Sequence, residues 1–567
     1  MKLRLMFFAA LIAAALSVTL VAGSAIAASN VVYNAVPSPL PPNVASVGYE
    51  ATSTSEFGDY VHLAGTNRSL STVTVTMSDW ALHSDYTSDP RYSPTSATWS
   101  HPITVNVYSN HLGLNGAPDT LLATKTQDVT IPWRPVADAA CGTAWKAPNG
   151  QCYNGYAFNA TFDLSSLNVT LPNDVIVGVS YNTADYGHAP IGMPGPYNSL
   201  NVGAPNLQTA SVGTDDSPDN VFWNTSYAGF YADGGTAGVG IFRQDTGWTP
   251  YGTAAFQITA CTPTGFMRDG INLTAAQIGG NVTGNLDAAG CNIGVYYDSA
   301  HTGNVTNANI SGANYFGVVV NGDVGTVKVN VTGAAIHDIG ETPLNGSQHG
   351  NAIYYRALGL GVASGTISGN TVTHYQKGGI TTNGKVTATI TNNTVTGEGA
   401  VNYIAQNGIQ VGYGAKATVT GNTVTGNAYT GSNQASSAGI LVVGGPCYAL
   451  PYTVGLDISK NTLTNNDVGV WLFNAAVDCA TAPATKTNNS VKLNTITNSA
   501  VTNTTGYSPT CGYQAGISDL GTKDLIVNNS ISGVGYTPIS NDCAGTPPAF
   551  LRFIDSGSSA RVAGSNK

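Results

Sequence analysis

Residues 368–411 read SGNTVTHYQKGGITTNGKVTATITNNTVTGEGAVNYIAQNGIQV, and two short patterns alternate along them. One is an asparagine followed by threonine and an apolar residue, at Asn370-Thr371-Val372 and Asn393-Thr394-Val395. The other is glycine followed by isoleucine, at Gly379-Ile380 and Gly408-Ile409. Working outward, the first recurs at Asn422-Thr423-Val424, Asn461-Thr462-Leu463, Asn494-Thr495-Ile496 and Asn529-Ser530-Ile531. The second recurs at Gly439-Ile440, Gly469-Val470 and Gly516-Ile517. Units of about 20–40 residues built only of short β runs predict a solenoid of stacked coils. Stacking puts equivalent residues roughly 4.8 Å apart, so Ile and Val fill an interior column. An inward asparagine can donate to one neighbour in its column and accept from the other, which keeps a buried amide satisfied. The glycines are expected at corners, where the backbone adopts conformations other residues resist.

Before residue 261 the texture differs. Ser71-Thr72-Val73-Thr74-Val75-Thr76-Met77, Ile103-Thr104-Val105-Asn106-Val107-Tyr108 and Val175-Ile176-Val177-Gly178-Val179-Ser180-Tyr181 alternate apolar and polar residues between Pro-, Gly- and Asn-rich turns. That alternation predicts an antiparallel, jelly-roll-like β-sandwich. Lys2 and Arg4, the apolar run from Leu5 to Val21 and the small residues Ala25-Ile26-Ala27 predict a signal peptide; the run is short for a membrane span. The expected organisation of this all-β chain is a signal peptide over 1–27, a sandwich over 28–260, a stack of coils over 261–555 and a tail over 556–567. The expected location is extracellular.

Only 9% of residues are charged, and 21 Lys+Arg stand against 31 Asp+Glu with no basic cluster to neutralise phosphates, so nucleic acid is an unfavourable partner. The 8 cysteines form an even set suited to an oxidising compartment. Neighbours pair as Cys141 with Cys152, Cys261 with Cys291, Cys447 with Cys479 and Cys511 with Cys543, although sequence alone leaves other connectivities open. No cofactor is expected. Asp215-Asp216-Ser217-Pro218-Asp219 offers oxygen ligands for calcium, but its spacing is not that of an EF-hand loop and an acidic turn is the plainer reading.

The repeats, with Gln376-Lys377-Gly378-Gly379-Ile380 and Ile404-Ala405-Gln406-Asn407-Gly408-Ile409-Gln410, resemble the right-handed parallel β-helix proteins, which include pectate lyases, polygalacturonases and phage tailspikes. The likeness covers residues 265–555, and it is strongest to secreted bacterial β-helix-repeat proteins without an assigned activity. It implies a three-sided right-handed helix of pectate-lyase-like type and a polysaccharide or cell-surface glycan as partner. Glu56-Phe57-Gly58-Asp59 and Ile131-Pro132-Trp133-Arg134-Pro135 are similar to a sandwich domain of secreted bacterial proteins. The enzymes' signatures are missing. There is no Arg-Ile-Lys, the Asp-Asp pair at 215 and 216 lies before the repeats, and Arg356 is the central arginine of the repeat region.

Aligning the early coils brings Asp338, His374 and Gly397 to one column, with Tyr375 and Glu398 beside them and Lys377, Glu341, His337 and His349 close by. Asp338 and Glu398 are two coils apart, roughly 10 Å in backbone separation, a distance their side chains could reduce to the spacing of an inverting glycosidase. In a polysaccharide lyase, Lys377, His374 or Tyr375 would act as base while Arg356 held a uronate carboxylate. Solvated turn residues are the plain alternative. Six of the 7 tryptophans, Trp80, Trp99, Trp133, Trp145, Trp223 and Trp248, precede residue 261. Trp133 and Trp145, near the Cys141 loop, are the expected sugar-stacking pair. A glycoside hydrolase or polysaccharide lyase is therefore weighed against a non-catalytic adhesion module and a structural surface protein with a flat threonine face at Thr371, Thr394, Thr423 and Thr462.

Overall fold

The computed structural model describes residues 30–52, 54–86, 97–109, 116–181, 200–224, 241–433, 435–503, 514–536, 550–555 and 561–563. The expected signal segment and Cys511 and Cys543 lie outside them. The chain is all-β. Its first part forms two antiparallel sheets. One holds Ser69–Asp79 against Tyr156–Asp163 and Phe256–Arg268; the other orders Arg243–Thr246, Asn220–Asn224, Glu56–His62, Asp174–Tyr181, Thr98–Ser109 and Leu121–Pro132. Alternation drives both. Val73, Val75 and Met77 from one sheet and Val105, Val107, Val175, Val177 and Val179 from the other point into one buried cluster, while Thr74, Thr76 and Ser78 turn away from it.

The two parts share a sheet. Phe256–Arg268 pairs antiparallel with Ser69–Asp79 through its first half and with Ile271–Ile278 through its second. Ile271–Ile278 then pairs in parallel with Ile293–Tyr297. The strand thus runs through the change in texture at residue 261, whereas the apolar clusters divide between Ala260 and Cys261. The Cys261–Cys291 disulfide ties the strand to the first parallel coil. Cys141–Cys152 and Cys447–Cys479 are also joined.

From there each coil lies in parallel register on the next. The coil that opens on Gly378–Gly384 continues through Val386–Thr391 and Thr394–Val401. Its strands pair with Asn407–Gly412, Lys416–Thr420 and Thr423–Tyr429 of the following coil. The interior column runs Val295, Val318, Ile353, Ile380, Ile409, Ile440, Val470 and Ile517. Pairing continues beyond residue 555, because Arg561–Ala563 lies against Leu525–Val527.

The asparagine ladder forms as the spacing predicts. Asn370, Asn393, Asn422, Asn461, Asn494 and Asn529 are each 1% exposed. The side-chain amide and backbone N–H of Asn393 both donate to Asn422 Oδ1, at 2.9 and 3.0 Å, and its Nδ2 also donates to the Ile367 carbonyl. The same set links Asn370 to Asn393, Asn422 to Asn461, Asn461 to Asn494 and Asn494 to Asn529.

The glycine column corrects the expectation. Gly379, Gly408 and Gly469 lie inside strands without left-handed backbone. A β-carbon there would collide with Val395, Val424 or Ile496 from the facing side of the coil, so glycine is kept for close approach. The left-handed corner is the residue before each ladder asparagine: Gly369, Asn392, Gly421, Lys460, Leu493 and Asn528, with φ between 54 and 69°.

Two stability outcomes follow. Asn422→Ala orphans buried donors and acceptors in two neighbouring coils and is expected to cost about 3 kcal/mol in urea unfolding; a loss comparable to that of exposed Thr423→Ala would contradict the ladder. Leu493→Gly relieves a side chain at φ 58° and is expected to stabilise by about 0.5–1 kcal/mol; destabilisation would contradict that account.

Candidate functional site

The register places Asp338, His374 and Glu398 on successive coils. Ile336 pairs with Val372 and Thr373 with Thr396, so the residues that follow them meet at one outer corner. Asp338 and His374 occupy left-handed backbone, φ 54 and 47°, which ends their strands and turns both side chains out of the ladder. His374 stands between the carboxylates. Its Nδ1 is 3.0 Å from Glu398 Oε1 and its Nε2 is 3.6 Å from Asp338 Oδ1. Asp338 Oδ2 also meets His337 Nδ1, and His337 Nε2 lies 3.0 Å from Asn309 Oδ1. The result is a row of alternating imidazoles and carboxylates.

A carboxylate only accepts hydrogen bonds, so the Glu398 contact puts the proton of a neutral His374 on Nδ1. Nε2 is left to take up or release a proton. The 3.6 Å gap from Nε2 to Asp338 is too long for a hydrogen bond. The His374 side chain is 51% exposed and that of Glu398 21%, so the imidazole is open to solvent and its carboxylate partner is the more enclosed of the two. This arrangement also corrects the inverting-pair expectation: the imidazole fills the gap between Asp338 and Glu398 where a sugar and a water would have to fit.

Other expected residues fall elsewhere. The ammonium of Lys377 donates to the Ala405 carbonyl at 2.8 Å. Tyr375 is fully buried inside the stack and donates to Asn427 Oδ1 at 2.6 Å; burial pushes its pKa far up, so it is a strut beyond the reach of an external polymer. Arg356 is ion-paired with Asp323 and lies over the Phe266 ring, 4.8 Å from its centroid. With its charge engaged on another face, it does not stand by for a uronate. Glu341 and His349 make a separate pair at 2.7 Å, with His349 stacked on Tyr315 at 3.8 Å.

The tryptophan expectation changes too. Trp145 is buried and donates to the Gly155 carbonyl at 2.7 Å, and Trp133 is partly buried between His83 and Trp99. The exposed rings before residue 261, among described residues, are Trp80 and Tyr251. Strand phase could have found Trp80, since it continues the outward series Thr74, Thr76, Ser78. Asp215 accepts from Ser217 N and Thr253 Oγ1, and Asp219 from Gly247 N and Thr249 N. Among the described residues no group of three or more His, Cys, Asp or Glu side chains is placed to hold a metal, and no helix is long and apolar enough to cross a membrane.

Thr371, Thr394, Thr423, Thr462 and Thr495 stand in register and exposed, with a second row at Thr373, Thr396, Thr425, Thr464 and Thr497. These rows run along the stack to the corner that carries His374.

No family model matches the chain, and no curated protein matches it. Solved structures similar to it include DFA-IIIase from Arthrobacter chlorophenolicus A6 in complex with GF2, at 13% identity over 48% of this chain and 63% of that one, TM-score 0.26. The Dettilon tailspike protein matches at 13% identity over 51% of this chain and 61% of its own, TM-score 0.25. The catalytic domain of GH87 alpha-1,3-glucanase matches at 9% identity over 95% and 97%, TM-score 0.22. The chain thus spans less than two thirds of the first two, and likenesses at these TM-scores carry no argument.

Lys377 yields a pH test. Burial lowers its pKa from 10.5 to about 8. Between that value and the ordinary one the unfolded chain holds the proton and the folded chain does not, so stability rises with pH across this window. The Lys377 contribution is expected to grow from about pH 7.5 to about pH 9.5, so in urea titrations the stability of the parent relative to Lys377→Met should rise across that window; the same slope in both proteins would contradict it.

Proposed function

We propose that this is an exported protein in which a β-sandwich precedes a right-handed parallel β-helix, and that it binds and processes a neutral extracellular polysaccharide along the outer face of the coils. The observation that carries the reading is His374, open to solvent through Nε2 and oriented by Glu398 through Nδ1. An imidazole fixed in one tautomer by a carboxylate is a general acid–base. Glycosidic cleavage requires such proton transfer: to the leaving oxygen, or from the attacking water. The threonine rows supply a flat, uncharged path on which a glycan chain can lie against methyl and hydroxyl groups.

The charges at the corner favour neutral sugars. Asp338 and Glu398 repel a uronate, Arg356 is engaged by Asp323, and the chain's net charge of −10 opposes polyanions. Hydrolysis is therefore preferred over lyase chemistry. Non-catalytic adhesion is the second reading, favoured by the imidazole that fills the space between the two carboxylates.

Purified protein is expected to release reducing ends, without unsaturated products, from at least one member of a panel of neutral polysaccharides. His374→Ala is expected to lower that rate by about 100-fold or more, and Glu398→Gln by about tenfold, with unfolding curves unchanged. Glycan binding without turnover, indifferent to both substitutions, would establish the adhesion reading instead.

A further inference from the structure

The strand Ser69–Asp79 alternates Val73, Val75 and Met77 toward the apolar cluster with Thr74, Thr76 and Ser78 on its other face, where Thr76 and Ser78 are covered as well. Trp80 follows in the outward phase and keeps 40% of its surface exposed. An exposed indole needs a reason, because burying so large a ring is worth more than leaving it in water. Its orientation is fixed: Nε1 donates to Ser78 Oγ at 3.0 Å, and that hydroxyl donates to Asn43 Oδ1 at 2.7 Å. Gly155 makes room for this network, since a β-carbon there would overlap Ser78 Oγ, Trp80 Nε1 and Asn43 Oδ1.

Trp80 is one wall of a cleft of about 450 Å³ that also contains Tyr153, Trp248 and Tyr251. Tyr251 is 42% exposed, so the two strongly exposed aromatic rings described before residue 261 face the same cavity. Trp248 is anchored edge-on against Trp223 at 5.4 Å, with Nε1 3.3 Å from Asp245 Oδ2. Tyr153 is adjacent to Cys152, whose disulfide to Cys141 clamps the short strand that pairs Tyr153 with Trp145. Three of the four rings are thus held from behind, and Tyr251, whose backbone N–H donates to the Trp248 carbonyl at 2.6 Å, completes the lining. The polar groups of the lining are neutral, Asn43 and Ser46 among them, and among the described residues no charged side chain lines the cleft.

We propose that this cleft is a binding subsite for one or two pyranose rings of a neutral oligosaccharide, separate from the His374 corner. A pyranose presents an apolar C–H face that stacks on an aromatic ring and equatorial hydroxyls that need neutral hydrogen-bonding partners at the rim. The volume lies within the range of small-ligand sites, and the uncharged lining selects against uronates and amino sugars, whose charge would be desolvated without a counter-ion. The subsite would hold the chain on a polymer while the coils engage the same or a neighbouring strand, and linking two weak sites raises the apparent affinity of both. It stands independently of the catalytic reading.

The test is tryptophan fluorescence and calorimetric titration of the full chain with cellohexaose, laminarihexaose, xylohexaose, maltohexaose and hexagalacturonate. At least one neutral hexaose is expected to bind, with Trp80→Ala and Tyr251→Ala each weakening it by about tenfold or more. Trp80→Phe should restore part of the loss, and His374→Ala should leave this binding in place whether or not the protein turns the oligosaccharide over. Matched thermal unfolding shows that the variants remain folded. Four results would overturn the subsite: no neutral hexaose binds, Trp80→Ala and Tyr251→Ala bind as the parent does, hexagalacturonate binds equally well, or His374→Ala alone abolishes binding.

Discussion

A carboxamide buried in an apolar stack must have every donor and acceptor satisfied, and in this chain the next coil satisfies it. Because both N–H groups of one asparagine meet a single oxygen on its neighbour, a slip of one residue would break two bonds at each step and turn the inward Ile and Val column to solvent. Register is therefore fixed by a polar constraint and an apolar one acting together. The His374 corner depends on it, since Asp338, His374 and Glu398 are far apart in sequence and meet only if three coils are in phase.

The same economy appears in the first part, where strand phase decides which aromatic rings become core and which become surface. Trp99 and Trp223 are in the inward phase and each donates to a buried aspartate, Asp79 and Asp245. Trp80, in the phase that faces away from that cluster, keeps 40% of its surface exposed. A shared strand, Phe256–Arg268, joins this part to the coils by continuous hydrogen bonding, so the aromatic cleft and the His374 corner belong to one connected scaffold.

Much of this was legible in the sequence, for physical reasons that also mark its limits. Strict spacing exposes a ladder, because a buried asparagine recurs once per coil; the column from Asn370 to Asn529 could be read directly. The second polar column, Tyr375 to Asn427 to Asn466, could not, because its members are of different types and unevenly spaced. The glycines were found but given the wrong cause, since a close-approach glycine and a left-handed glycine look alike in sequence and only the facing Val395 or Val424 distinguishes them. At the site, alignment correctly grouped Asp338, His374 and Glu398. It could not tell that Tyr375, one residue on, turns inward, or that Asp323, 33 residues before Arg356, takes up the arginine's charge.

Central to the account is that coil register delivers Glu398 to His374 Nδ1 and so sets the imidazole's tautomer. Long-range nitrogen–proton NMR of protein labelled at histidine, with His374→Gln used for assignment, reads that tautomer directly. The neutral ring should carry its proton on Nδ1 in the parent and lose that preference in Glu398→Ala. A ring protonated on Nε2 in the parent, or a tautomer unaffected by Glu398→Ala, would contradict the account.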